Sequence, residues 1–190
     1  MGSAMALKST IHRAELEIAD LDRPYYGRHA LVIARHPSES AERMMVRLLA
    51  FALHAGPTLR FGRGLSTEGE PALWDRDADG RILLWIEVGQ PDARLVRRAC
   101  GRAERVCVYN YGGAAADAWW RQAGPRLRSL ANLAVVNLPG PAVRALGQVA
   151  RRSMRLQVTV QDDQVWLGAG EAALQFALER RKALGSVRTA

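Results

Sequence analysis

Lysine, cysteine and uninterrupted apolar sequence are all scarce in this chain of 190 residues. No apolar run approaches the roughly 20 residues that a membrane-spanning helix needs, and the N-terminus lacks the basic, apolar and small-residue succession of a secretory signal. The expectation is a cytoplasmic protein with no membrane partner. Cys100 and Cys107 fall in a predicted helix and in the strand after it, which suits buried small hydrophobes better than a disulfide. His12, His29, His36 and His54 are scattered, with no His pair at the close spacing of a zinc centre. Gly112-Gly113 lacks the lysine and the spacing of a phosphate loop, and no Ser-His-Asp triad can be argued.

Arginine is what the chain has in excess. Basic residues number 27 against 19 acidic ones, a net charge of +8, and only Lys8 and Lys182 among them are lysine. With so much alanine beside it, that total carries the mark of genome composition, so distribution is the better guide. Between Asp117 and Asp162 no acidic residue occurs, while Arg121, Arg126, Arg128, Arg144, Arg151, Arg152 and Arg155 all do. Such a segregated field can track a phosphate backbone, which puts nucleic acid first among anionic partners. A solvated, merely arginine-rich surface is the alternative.

The length and the 48% hydrophobic content predict one domain over residues 5–180. Gly2-Ser3-Ala4 ahead of Met5 reads as a cloning remnant covering residues 1–4. Alternation from Lys8 to Asp20, with Ile11, Ala14, Leu16 and Ile18 as its apolar members, predicts a half-buried strand that forms a hairpin with a second strand over 28–35. His36-Pro37-Ser38-Glu39 predicts a helix start, with Met45, Leu48, Leu49 and Ala52 as the apolar stripe. A short strand through Leu59 and Phe61 and an irregular acidic stretch over 68–80 precede a strong strand over 82–88. That strand is apolar on both faces, which predicts a central, doubly covered position. Helices are expected over 91–103, 114–122 and from Pro139 to about Ala150, and strands over 105–109, 134–138, 154–161 and 164–167, with Asp162-Asp163 as a hairpin turn. Glu171 to Leu184 reads two ways, since Leu174, Phe176 and Leu178 alternate as in a strand while the composition favours helix; strand is preferred, followed by a frayed basic tail from Arg180. The fold class is therefore α/β, a mixed sheet flanked by helices with an N-terminal β-hairpin.

Within this frame Glu87 stands out. A carboxylate at the end of an apolar central strand needs a metal ion, an arginine or solvent, and strand ends are where α/β sheets place ligands. A salt bridge to Arg94 or Arg98 is the structural alternative. Glu42 falls in line with Met45 and Leu49, on the buried face of its helix, where it is either a dipole residue or a site acid; Glu39 is less clearly inward. Asp75, Asp77 and Asp79 cluster ahead of the Glu87 strand, in sequence that also reads as ordinary turn chemistry. Tyr109 and Tyr111 at a strand end, and Trp119-Trp120, are either core and rim or base-stacking groups.

The blocks Ala34-Arg35-His36-Pro37-Ser38-Glu39, Glu42-Arg43-Met44-Met45-x-Arg47-Leu48-Leu49-Ala50 and Leu84-Trp85-Ile86-Glu87-Val88-Gly89-x-Pro91-Asp92 resemble the YaeQ family pattern. The likeness runs from Ala6 to about Leu167. The family's fold is similar to that of PD-(D/E)xK restriction-endonuclease-like nucleases. That resemblance implies a helix acid from Glu39 or Glu42, with Glu42 preferred, and a first strand acid from Asp75, Asp77 or Asp79, with Asp75 preferred. It implies Glu87 as the second strand acid, the set holding Mg²⁺ for phosphodiester cleavage. Where the pattern has lysine, this chain has Gly89, so Gln90 is taken as the residue that orients water. Arg94, Arg97 and Arg98, with Arg121, Arg151 and Arg152, are expected to contact the nucleic acid. Without that lysine, a non-catalytic nucleic-acid or protein interaction module is the competing expectation.

Overall fold

The alternating N-terminal segment folds as two long strands, β1 (Thr10–Asp20) and β2 (Tyr25–Arg35), paired antiparallel in one unbroken register from Thr10↔Arg35 to Asp20↔Tyr25. The structure is a computed structural model that describes residues 8–63 and 69–185; residues 1–4 and Glu68, on which expectations fell, lie outside the described residues. Along β1 the even-numbered residues from His12 to Asp20 are buried. Ile11, counted above with the apolar set, is out of phase with that alternation and 43% exposed.

After the hairpin come α1 (Ala41–His54), β3 (Arg60–Phe61), β4 (Leu73–Arg76), β5 (Ile82–Val88), α2 (Ala93–Cys100), β6 (Ala103–Tyr111), α3 (Ala114–Leu127), β7 (Leu133–Leu138), α4 (Gly140–Val149), β8 (Ser153–Gln161), β9 (Gln164–Ala169), β10 (Ala172–Ala177) and β11 (Glu179–Lys182). One expected sheet proves to be two. The first has the order β10-β9-β8-β1-β2 and the second β11-β7-β6-β5-β4-β3, and each mixes parallel and antiparallel pairs.

The division follows from the course of the chain. The three parallel strands β5, β6 and β7 are joined through α2 and α3, which cover one face of the second sheet around Val96, Ala99, Val106, Leu127, Leu133 and Val135. After β7 the chain switches faces, and α4 packs with α1 in a larger core that includes residues of both sheets. From there β8 pairs with β1, not with the sheet just left. β5 lies between β6 and β4 and sends side chains into both cores, as its doubly apolar sequence predicts.

α1 begins at Ala41 rather than near His36, because Ser40 supplies the cap: its Oγ accepts from the Arg43 amide at 3.1 Å. Ten consecutive residues, Met44 to Leu53, are buried, as in a helix covered on all sides. The acidic stretch expected to be irregular contains β4, whose Trp74 packs edge-on against Trp85 of β5. α3 outruns its expected end and carries Pro125 inside it. Asp162 and Asp163, at φ 52° and 58°, form the β8–β9 turn, a conformation that aspartate tolerates.

The tail expected from Arg180 is instead strand. β11 pairs antiparallel with β7, Arg180 binds Asp163, Arg181 binds Asp117, and Lys182 Nζ donates to the Leu133 carbonyl at 2.7 Å. Each of the three basic side chains has a partner on the sheet it joins or the elements beside it. Cys100 and Cys107 are free thiols, as expected, and burial pushes Cys107 up to about 12. No helix among the described residues is long and apolar enough to cross a membrane.

If α1 is the shared wall of the larger core, its truncation is costly. Leu49→Ala should destabilise the protein by about 2–5 kcal/mol, the range for a fully enclosed leucine, read as a lowered urea midpoint at unchanged slope.

Candidate functional site

A cleft of about 540 Å³ opens at the C-terminal end of β5, lined by Arg43 and Arg47 of α1, Glu70 ahead of β4, Glu87, and Arg98 and Arg102 from α2 and the turn after it. Four guanidinium groups and two carboxylates in one concavity make it a basic site overall. Arg102 also lies over the Trp85 ring, 5.3 Å from its centroid.

Glu39 and Arg47 set the geometry on the α1 side. Both are 3% exposed, and they meet face to face, with Arg47 donating to the two Glu39 oxygens at 2.8 and 2.6 Å and to the Ala34 carbonyl at 3.0 Å. Arg43 donates to the same carboxylate at 2.8 Å. The inward acid of this segment is therefore Glu39, not Glu42. Its place just before the helix lets it fold back along the i+4 and i+8 positions, a relation that helical periodicity counted from Glu42 does not show.

Glu87 has no arginine partner among the described residues. It shares a face of β5 with Trp85, whose indole N–H donates to it at 2.7 Å. Burial pushes its pKa up, against the opposing pull of that hydrogen bond and of Arg43. The two arginines offered as alternative partners are placed otherwise: Arg94 turns back to Asp92, the cap of α2, at 3.3 Å, and Arg98 lines the cleft. Gly89 follows with φ +101°, and its amide donates to the Tyr109 carbonyl at 2.9 Å. A lysine at this position would sit in strained backbone. Lys182, on β11, is three strand spacings from β5, roughly 14 Å away. The Gln90 side chain lines the cleft, but its amide is already bonded to the Tyr111 carbonyl.

Glu42, Asp75 and Glu87 are not brought together. Glu42 lies against α4, where a Cβ on Gly147 would stand 2.8 Å from its Cγ; that contact is on the larger-core side of the second sheet. Asp75 pairs with Leu84 in β4–β5 and shares its face with the larger core, with Oδ1 buried and without a hydrogen-bond partner among the described residues. Glu87, two residues from Trp85, belongs to the opposite face. Asp77 and Asp79 are turn residues, Asp77 Oδ1 accepting the amides of Asp79 and Arg81. Among the described residues no three of His, Cys, Asp and Glu form a group that could hold a metal ion, so the donor set implied for Mg²⁺ does not fit the arrangement.

The arginine field splits in two. Arg94, Arg97 and Arg98 on α2 and Arg121 on α3 are exposed on the helical layer outside the second sheet, continuous with the cleft through Arg98. Arg151 and Arg152 lie elsewhere, on the α4–β8 connection. Arg151 donates to the carbonyls of Gln148 and Ala150 at 2.7 and 2.8 Å, satisfying the end of α4, and Arg152 reaches the Ile11 carbonyl. Tyr109 is buried, and Trp119 donates to the Pro91 carbonyl at 2.7 Å, so these aromatics are core and rim.

The family model described as YaeQ protein matches residues 5–178. The chain belongs to the YaeQ family. It is 44% identical to the uncharacterized protein YaeQ of Salmonella typhi and 42% identical to that of Escherichia coli K12, in each case over 92% of this chain and 96% of the relative. The crystal structure of YaeQ protein from Xanthomonas axonopodis pv. citri superposes with a TM-score of 0.90 at 46% identity, covering 92% of this chain and 99% of that one. YaeQ protein from Pseudomonas syringae gives 0.88 at 36%, covering 92% and 97%.

Arg43, Arg47, Glu70 and Arg102 of this YaeQ-family site were not singled out from sequence. Arg43 and Arg47 did carry a signal, a charged i, i+4 pair inside an otherwise apolar helix four and eight residues after Glu39.

Removing Glu39 leaves a buried guanidinium unpaired. Glu39→Ala should cost about 3–5 kcal/mol in urea unfolding, whereas the apolar double variant Glu39→Leu/Arg47→Met should recover most of that deficit. A second prediction concerns pH. Because the folded protein holds the Glu87 proton more tightly than the unfolded chain, the site's stability is full below the ordinary glutamate range and declines as pH rises through the raised value. Glu87→Gln should therefore unfold at higher urea than the parent at pH 8 and at the same urea at pH 4.

Proposed function

We propose that this YaeQ-family protein is a nucleic-acid-binding module that holds the phosphate backbone on its arginine face without an intrinsic metal centre, on a restriction-endonuclease-like scaffold. The observation that carries this reading is the cleft at the end of β5, where Arg98 and Arg102 join the exposed Arg94, Arg97 and Arg121 of the helical layer. Arginine suits such a role because its planar fork meets phosphate oxygens in pairs and stays charged at any physiological pH. Arg98 is the hinge of the site, since it belongs both to the cleft and to the exposed helix. Glu87 gives the cleft an acceptor among donors, which selects ligands that carry an N–H or O–H beside the anion.

The metal-dependent nuclease reading needs three acids at one point, and these stand on different faces of the second sheet. It remains the comparison arm of the test. Binding of the full chain to a random 30-nucleotide DNA or RNA in EDTA should weaken steeply between 50 and 200 mM salt. Arg98→Ala/Arg102→Ala should reduce both affinity and salt slope, by about one unit of slope for each phosphate that is no longer neutralised. No retention at 50 mM salt overturns the proposal. Cleavage in Mg²⁺ or Mn²⁺ that Glu87→Ala abolishes replaces it with the enzyme reading.

A further inference from the structure

A second cavity, of about 550 Å³, lies at the other end of α1, roughly 16 Å from the cleft by the helical rise between Arg43 and His54. It sits where the last turn of α1 meets β6, β7 and the residues Ala183 and Leu184 that follow β11. Its size falls in the range of small-molecule pockets, and its walls follow the usual recipe of apolar surface with a few converging polar groups. Leu84, Val136 and Leu178 supply apolar wall.

The polar groups are organised. His54 Nε2 and the Tyr109 hydroxyl share a hydrogen bond of 2.8 Å, and the hydroxyl is also within reach of the Cys107 thiol. Desolvation, reinforced by Arg23, Arg105 and Arg180, pushes His54 down to about 3, so the imidazole enters any binding event neutral, as a donor and an acceptor. Burial likewise holds Tyr109 in its protonated form.

Three arginines and three aspartates line the rim, and all but one are engaged. Arg23 binds Asp20 at 3.2 Å and the Ala55 carbonyl at 2.7 Å; Arg180 binds Asp163 at 2.8 Å; Asp22 accepts the amides of Asp162 and Asp163 at 2.7 and 3.0 Å. Arg105 meets no carboxylate among the described residues. The cavity thus offers one uncommitted cation over a neutral donor pair and an apolar wall.

We infer that this cavity is a binding site for a small organic monoanion with an apolar body, of the aryl or alkyl carboxylate class, its carboxylate toward Arg105 and its body among Leu84, Val136 and Leu178. The site is independent of the arginine cleft, since neither Arg105 nor His54 lines that surface.

The probes are naphthalene-2-carboxylate, its neutral amide and inorganic phosphate, titrated into the full chain by calorimetry and by NMR of the His54 and Tyr109 rings. Expected are saturable binding of the carboxylate with shifts at both rings, at least tenfold weaker binding of the amide, and none of phosphate alone. Arg105→Ala, at an exposed position, should weaken the carboxylate about tenfold and leave nucleic-acid retention unchanged. Val136→Phe, which fills the space, should abolish binding, with Ala134→Leu serving if that variant does not fold. Amide and carboxylate binding within twofold of each other overturns the inference, as does an absence of saturable binding at millimolar carboxylate or shifts confined to residues outside this cavity.

Discussion

A helix enclosed on every side organises this molecule. Burying Met44 to Leu53 requires a surface on each flank, and one sheet cannot provide it, so the chain builds two sheets and places α1 and α4 between them. The enclosure admits a single charged residue, Arg47, which is tolerated only because Glu39 folds back on it and Ala34 accepts its remaining donor. That three-way contact joins the end of β2, the turn into α1 and the helix itself. Both cavities of interest lie at the ends of this one helix, where its enclosure runs out and polar groups reach water.

The cleft follows from the parallel arrangement of β5, β6 and β7. Parallel strands joined by helices leave their carboxyl ends facing a crevice, and here the first of them carries a carboxylate, Glu87, one residue before its end. Three properties then distinguish it from a metal site. Asp75 is on the face of the sheet opposite Glu87, the arginines of the cleft outnumber its two acids, and the position after the strand carries a glycine in a left-handed conformation where a lysine would be strained. The arginines of α2 and α3 extend the same electrostatic sign across the outer layer, whereas on the α4–β8 connection Arg151 is occupied in ending a helix and Arg152 donates to the Ile11 carbonyl of β1.

How legible the fold was depended on the range of the signal. β5 was read to the residue, because an apolar run between turn signals carries its own boundaries. β4 was not, since four residues containing Asp75 become a strand only when β5 lies beside them. Glu42 stood out because its spacing from Met45 and Leu49 put it in line with a buried face, and it does pack against Gly147, half-buried; a contact with α4, however, is not convergence on Glu87.

Local periodicity in the sequence determined the hairpin, the central strand and most of the helices, and its motif blocks the family to which the chain belongs. Only the tertiary structure decided that there are two sheets, that Arg180 to Lys182 form an edge strand, which acid neutralises Arg47, and which arginines share a cleft. The reason is physical: a residue's helical or strand phase is fixed by neighbours within a turn or two, but its partner across a sheet or a core is fixed by chain segments dozens of residues away, whose approach no local spacing encodes.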